Sequence, residues 1–391
     1  MSSRFLYTLS SEMQSVAVAW QIYDVTHRPL DLGLVGLAQF LPGILLFLVA
    51  GHTADRVPRR RILIVCCGGF ALCSIGLLAL TWRGLTSVYP MYAVLLINGV
   101  VRVFNGPAAS ALLPSLVAEE HFQNAVTWGS SIFQGAMVLG PVIGGVVYAI
   151  FGSPVPVFCS AVVAYLTAMV LVTRIDMRKS HVPPQKPRAA TLGFVLDGFR
   201  FIWSNQLILG AISLDLFAVL LGGAVALLPA YARDVLHIGA SGLGILRAAP
   251  GTGAVLMAIV LAHRPLRRRA GATMLFCVFG FGVFTILFGL SRTVAEALAA
   301  LLFVGACDMV SVVLRQTLIQ IGTPDEMRGR VSAVGGVFIG ASNEVGQFES
   351  GVTAQWLGAA PAVIAGGVGA IVVVLIWAWK FPALRRYHGR V

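Results

Sequence analysis

The sequence predicts an all-α integral membrane protein whose twelve transmembrane helices form two pseudo-symmetric bundles of six. Three observations lead there. The 391 residues are 58% hydrophobic and only 11% charged, with a mean hydropathy of +0.86, a balance that water-soluble globules do not reach. Uncharged runs such as 32–49 and 62–82 recur along the chain, and about 20 apolar residues suffice for a helix to cross a bilayer. The second half of the chain also repeats the punctuation of the first.

Taken in order, the first span runs from Arg4 to Tyr23, with Trp20 and Tyr23 suited to the outer interface. It begins almost at once, and the apolar stretch passes any small-residue cleavage pattern, so no cleavable signal peptide is expected. Further spans are predicted near 31–50, 62–82, 87–112, 124–150 and 155–173. Residues 1–173 make the N-terminal six-helix bundle. The stretch 174–206 is a polar linker: the pair Pro183 and Pro184 stops a helix, and 191–206 then reads as an amphipathic helix. On that helix Leu192, Val195, Leu196, Phe199 and Ile202 oppose Asp197, Arg200 and Asn205, which suits the membrane interface. Six more spans near 207–231, 239–262, 271–290, 294–320, 331–357 and 361–379 make the C-terminal bundle, and 207–391 closes with a short basic tail.

Charge orients the threading. Arg56, Arg59, Arg60 and Arg61 sit between the second and third spans, and most other Lys and Arg fall in alternate loops, the linker and the tail. Only Arg28, Arg83, Arg233 and Arg292 fall in the opposite loops, so the basic side is cytoplasmic and both termini are expected there. The net charge of +12 is thus spread over short loops rather than gathered into a nucleic-acid patch. Cys66, Cys67, Cys73, Cys159, Cys277 and Cys307 all lie in apolar stretches without metal-ligand spacing and read as small core residues. No metal, cofactor or disulfide framework is implied.

The halves repeat at a separation of 208 residues, which pairs Arg59, Arg60 and Arg61 with Arg267, Arg268 and Arg269, Pro42 with Pro250, Gly36 with Gly244 and Tyr23 with Tyr231. Near the fourth and tenth spans the separation is 206, pairing Gly99 with Gly305 and Arg102 with Asp308. A charge inside a membrane helix costs about 2.5–3.5 kcal/mol on insertion scales and usually faces a cavity. Arg102 and Asp308 are therefore candidate partners. Asn98, Arg102 and Asn105 form one stripe at helical spacing, Asp308, Ser311 and Arg315 another, and Glu12 with Thr8 and Ser15 a third. Asp215 stands alone in the seventh span, and Glu344 with Gln347 adds a stripe in the eleventh. Arg315, nearer the cytoplasmic end, is expected to snorkel; Arg247 and Glu349 read as structural. A buried structural ion pair remains the alternative for each of these charges.

Several motifs resemble those of major facilitator superfamily transporters. Gly51, Asp55, Arg56, Arg59 and Arg60 are similar to the loop between the second and third helices, G-x-x-x-D-R-x-G-R-R, with Pro58 at the second glycine. The resemblance implies a conformational latch. Arg102, Asn105, Gly106, Ala108 and Ala109 resemble the fourth-helix motif of proton-linked members, whose arginine is implicated in proton coupling. Gly140, Pro141, Gly144 and Gly145 match the core of the fifth-helix motif that marks antiporters, although glycine-rich helices are also ordinary packing devices. The stretches 228–234 and 323–331 resemble the branch containing enterobactin exporters and macrolide or multidrug efflux pumps. The superfamily's first, fourth, seventh and tenth helices line the central cavity.

No phosphate-cradling loop or protease signature is present in the sequence, so an enzyme is not expected. The expected function is export of a small amphipathic molecule, a drug or siderophore-like compound, by proton antiport with alternating access. The carrier is expected to be a monomer in the cytoplasmic membrane. An uptake symporter or lysophospholipid flippase on the same fold remains open, as does a transport-inactive receptor.

Overall fold

The computed structural model describes residues 1–84, 87–117, 119–175, 192–264 and 269–387. Among them the regular structure is entirely helical. The long helices are α1 (Ser2–Thr26), α2 (Pro29–Arg56), α3 (Arg59–Trp82), α4 (Tyr89–Leu116), α5 (Glu119–Phe151) and α6 (Val155–Thr173), then α7 (Leu192–Ser204) in the linker. After it come α8 (Gln206–Leu221), α9 (Ala240–His263), α10 (Ala270–Leu290), α11 (Val294–Gly322), α12 (Asp325–Leu357) and α13 (Ala359–Lys380). Apart from α7, twelve helical spans result, as the sequence predicts. Ten are long and apolar enough to cross a membrane by length and composition. The other two, α1 and α12, carry the densest polar residues.

Several helices outrun the apolar stretches that announce them. α2 continues to Arg56 and α5 begins at Glu119, because a helix need not stop where hydrocarbon does; its charged last turn simply stands in the headgroup region. The seventh span is the reverse case. α8 stops at Leu221, and a run of short turns from Ala224 to Val235 completes the span. The break falls on Gly222 and Gly223, which have no side chain to support a helix and lie against Phe281 and Ser350.

The chain divides into two compact units. The first comprises 1–26, 38–190 and 239–248; the second comprises 27–37, 191–238 and 249–391. In the first, Ile62, Cys66, Phe70, Ala161 and Tyr165 build a core, with Phe70 stacked on Tyr165 at 5.5 Å and Tyr7 tilted onto Phe70 at 5.0 Å. In the second, Leu214, Met274, Val310, Leu314 and Val374 do so. Outward faces are apolar too: Val65 is 73% exposed and Phe276 76%, as helices bordering lipid require. Trp82 and Trp379 stand exposed near helix ends, where an interfacial belt places them. Cys66, Cys67 and Cys73 are buried as expected, but Cys159 is exposed on α6 rather than in a core. All six cysteines are free thiols.

The internal repeat has a structural counterpart inside each unit. A Cβ on Gly99 of α4 would stand 2.5 Å from the Gln39 carbonyl oxygen of α2, and one on repeat-related Gly305 of α11 would collide with the Pro250 carbonyl of α9. Corresponding helices thus meet at a glycine in each unit, the contacts differing by about one turn, since Pro250 is the repeat partner of Pro42 and not of Gln39. α7 docks in the second unit: Ile202 is buried with Ile208, Val331 and Val334, and Asp197 accepts from Arg330 at 3.2 Å. Its other face leaves Leu196 and Trp203 exposed, and Asn205 caps α8 by accepting from the Leu207 and Ile208 amides at 3.1 and 3.3 Å. Arg328 donates to the Gln320 carbonyl at 3.2 Å, so both basic residues after Pro324 are engaged by the protein itself.

Valine at Gly99 or Gly305 should cost about 1–3 kcal/mol through overpacking, read as a lower unfolding midpoint in detergent. Alanine at Gly336, where a Cβ meets open space, should leave that midpoint unchanged.

Candidate functional site

Among the described residues, ionisable side chains inside the spans gather around Glu12 in the first unit and around Asp215 in the second. In the first, Glu12 of α1 lies within electrostatic reach of Arg247 on α9 and Arg102 on α4. Arg247 donates from Nη2 to Ser15 Oγ at 2.7 Å. Arg247 thus lies beside the Glu12 stripe of α1. Glu12 and Ser15 share a face of α1, while Gln14 and Gln21 point to α3: Ser74 Oγ donates to Gln14 Oε1 at 2.5 Å, and Gln21 Nε2 donates to Thr81 Oγ1 at 3.0 Å. The two pairs share a seven-residue spacing on both helices, a signal that reading charges alone misses. Such interhelical bonds typically contribute about 0.6–2 kcal/mol in membranes.

The fifth-helix glycines fix how closely α1 approaches. A Cβ on Gly140 would meet Glu12 Cβ at 2.5 Å, and one on Gly144 would meet Met13 Cα at 2.7 Å. Gly145 turns the other way, toward Ala240 and Gly244 of α9, where a Cβ would come within 2.9 Å of Gly244 Cα. These glycines therefore pack helices together, and Gly140 and Gly144 set the depth of Glu12. Asn98 is half-buried on α4 and Arg102 is exposed. Asn105 lines a separate cavity of about 110 Å³ with Arg4, Tyr7, Leu63, Cys67 and Leu112.

In the second unit the expectations change most. Arg315 does not snorkel: its side chain is 4% exposed and forms an ion pair with Asp215, itself 6% exposed. Asp215 is therefore not alone. The reason is geometric, because α8 and α11 pack side by side and bring the two charges together away from water, where each needs the other. Asp308 lies about two turns before Arg315 on α11 and, among the described residues, has no ion pair within its unit. Arg102 belongs to the first unit and Asp308 to the second. Glu344 accepts from Gln347 Nε2 at 3.3 Å, and both face Gly36, where a Cβ would sit 3.2 Å from Glu344 Oε2.

At the 51–61 loop, Asp55 and Arg56 end α2, and Arg59 and Arg60 open α3. The Asp55 side chain lies outside the described residues, as do Arg267 and Arg268 of the second-half loop. Pro58 occupies the N-cap of α3 at φ −52° and ψ 119°, a conformation proline adopts without strain. Arg60 donates to the Thr173 carbonyl at the end of α6. Gly51 lies in the penultimate turns of α2.

Residues 3–387 match the transmembrane secretion effector family. The chain belongs to that family. Among similar proteins are the enterobactin exporter EntS of Citrobacter koseri, 28% identical over 396 residues, and that of Shigella boydii serotype 4, 27% identical over 392. Each alignment covers 99% of this chain and 92% of the relative. Among solved structures, a bacterial homologue of the lysosomal transporter Spinster aligns with a TM-score of 0.75 at 14% identity, covering 99% of this chain and 97% of that one. A bacterial homologue of the iron transporter ferroportin aligns at 0.72 and 16% identity, covering 96% and 97%. These two share the fold, and the family match gives it as the major facilitator architecture. The family member is thus a multi-pass membrane transporter and not an enzyme.

Breaking the buried pair by Arg315→Leu should cost about 3–5 kcal/mol, because Asp215 is left as an uncompensated buried charge. The double variant Asp215→Leu with Arg315→Leu should recover most of that loss. Unfolding midpoints of the purified proteins in one detergent check both.

Proposed function

We propose that the chain exports a small amphipathic, siderophore-like molecule across the cytoplasmic membrane by proton antiport. The observation that carries the cargo is the likeness, over 99% of the chain, to proteins named enterobactin exporters in two organisms. Coupling rests on the charges. With Asp215 neutralised by Arg315, Asp308 is the carboxylate on α11 left to gain and lose a proton. In the first unit Glu12 lies within electrostatic reach of Arg247 and Arg102, so a proton there alters the balance of three charges rather than one. Substrate and proton compete for these groups, and alternating access carries them in opposite directions, as in other repeat-built transporters.

The other assignments follow from the same reading. Residues 1–173 and 207–391 act as the two moving bundles, joined by 174–206, and the carrier works as a monomer with both termini in the cytoplasm. Gly51, Asp55, Arg56, Arg59 and Arg60 form the latch. Asn98, Asn105 and Glu344 line the path of the cargo. In the antiporter-type motif, Gly140 and Gly144 hold α1 at the depth that antiport needs, while Pro141 and Gly145 seat α9.

Proteoliposomes with an internal pH dye, challenged with enterobactin, a macrolide and a cationic dye, test the proposal. Wild type should move enterobactin with counterflow of protons, and Asp308→Asn and Arg102→Ala should each slow that counterflow at least tenfold while remaining monodisperse. Co-directional proton movement would instead indicate symport. Wild-type coupling in both folded variants would remove the assignment of these residues.

A further inference from the structure

Around Asp308 lies a feature that proton carriage does not use. Asp308, Asp215 and Ser311 line one small cleft, whose remaining walls are Ala218 and Val219 of α8, Val278 and Phe281 of α10 and Cys307 of α11. Its volume is about 10 Å³, whereas holding a single water takes on the order of 10–15 Å³. An organic cargo does not fit; one water-sized body does.

The polar groups show what that body must be. Ser311 is 2% exposed, and its Oγ has no hydrogen-bond partner among the described residues. A buried hydroxyl in that state is normally answered by a ligand, ion or water. Ser311 stands one turn from Asp308 and one turn before Arg315, so carboxylate, hydroxyl and guanidinium follow one another along α11. Charge completes the specification. Asp215 and Asp308 carry two negative charges against the single positive charge of Arg315, and a net negative charge inside an apolar span is costly. One monovalent cation makes the group neutral. A divalent ion would overshoot and leave the group positive.

We infer that this cleft is a binding site for one sodium ion, held by the Asp308 carboxylate, Ser311 Oγ and the Asp215 carboxylate, with Arg315 fixing Asp215 from the far side. The hard oxygen donors suit an alkali cation, and the apolar walls keep bulk water from competing. The carboxylate oxygens present a strong anionic field, which favours the smaller sodium ion over potassium. Sodium occupies the position that a proton on Asp308 would otherwise neutralise, so the site gives the carrier a second coupling ion. The inference does not depend on the cargo.

The test uses the purified full chain in detergent at pH 8, following its unfolding midpoint as sodium chloride replaces choline chloride at constant ionic strength. Wild type should show a saturable rise that potassium chloride does not reproduce. Asp308→Asn should abolish the rise. Ser311→Ala should weaken the apparent sodium affinity at least tenfold, and Ser311→Thr, which keeps a hydroxyl, should restore most of it. Binding of radioactive sodium to wild type gives a second readout that needs no variant to fold, with one displaceable ion per chain expected. A midpoint indifferent to sodium, together with no saturable sodium binding, would overturn the site and leave water or a proton as its occupant. No cargo enters either assay, so failure here is separate from failure of the export reading.

Discussion

The constraint on which the rest of this structure depends is that hydrocarbon offers no partner to a polar group. Every hydrogen-bonding side chain inside a span must be answered by another residue or face a space that water, ion or cargo can enter. Gln14 and Gln21 are answered by Ser74 and Thr81, and Trp377 Nε1 donates to Ser213 Oγ at 2.9 Å. The Tyr231 hydroxyl, wholly buried, lies 2.7 Å from the Phe288 carbonyl oxygen and 2.8 Å from that of Ser291. These pairings fix rotation and depth of the helices, which apolar packing alone leaves loose. The Asp215–Arg315 pair is the strongest case, and it is also why Asp308 stands out.

Glycine determines how near the helices come. Inside the first unit Gly140 and Gly144 admit α1, and Gly145 admits Gly244 of α9; inside the second, Gly33 of α2 meets Gly351 of α12. The two sets are related by the internal repeat, since α5 and α12 occupy corresponding places in the halves. Small residues allow backbones to touch, and in lipid such contact is itself a main source of association. The fifth-helix motif therefore has a mechanical meaning before any functional one: its glycines carry Glu12 toward Arg102 and Arg247.

Much of this was legible in the chain. The spans, their number, the linker helix and the repeat followed from hydropathy, charge placement and spacing, and the separation of 206 residues between Gly99 and Gly305 reappears as a glycine contact in each unit. The intramembrane charges were also visible, because a charge in an apolar run announces itself. Their partners were not. Arg315 looked free to snorkel since nothing in a linear pattern says that α8 lies beside it. Asp215 looked alone for the same reason, and that Ser15 accepts a hydrogen bond from Arg247 could not be read from their separation in sequence.

By itself, then, the sequence determined the class of fold, the count of helices and the short roster of residues that could do chemistry. Each of these depends on how far a residue stands from its neighbours along the chain, on a helix of known rise and turn. Only the tertiary structure decided which charge neutralises which, which cysteine faces outward and which serine hydroxyl is left unanswered. Those are distances between helices far apart in sequence, set by glycine contacts and interhelical hydrogen bonds. A carboxylate has the same letter whether or not an arginine beside it cancels its charge.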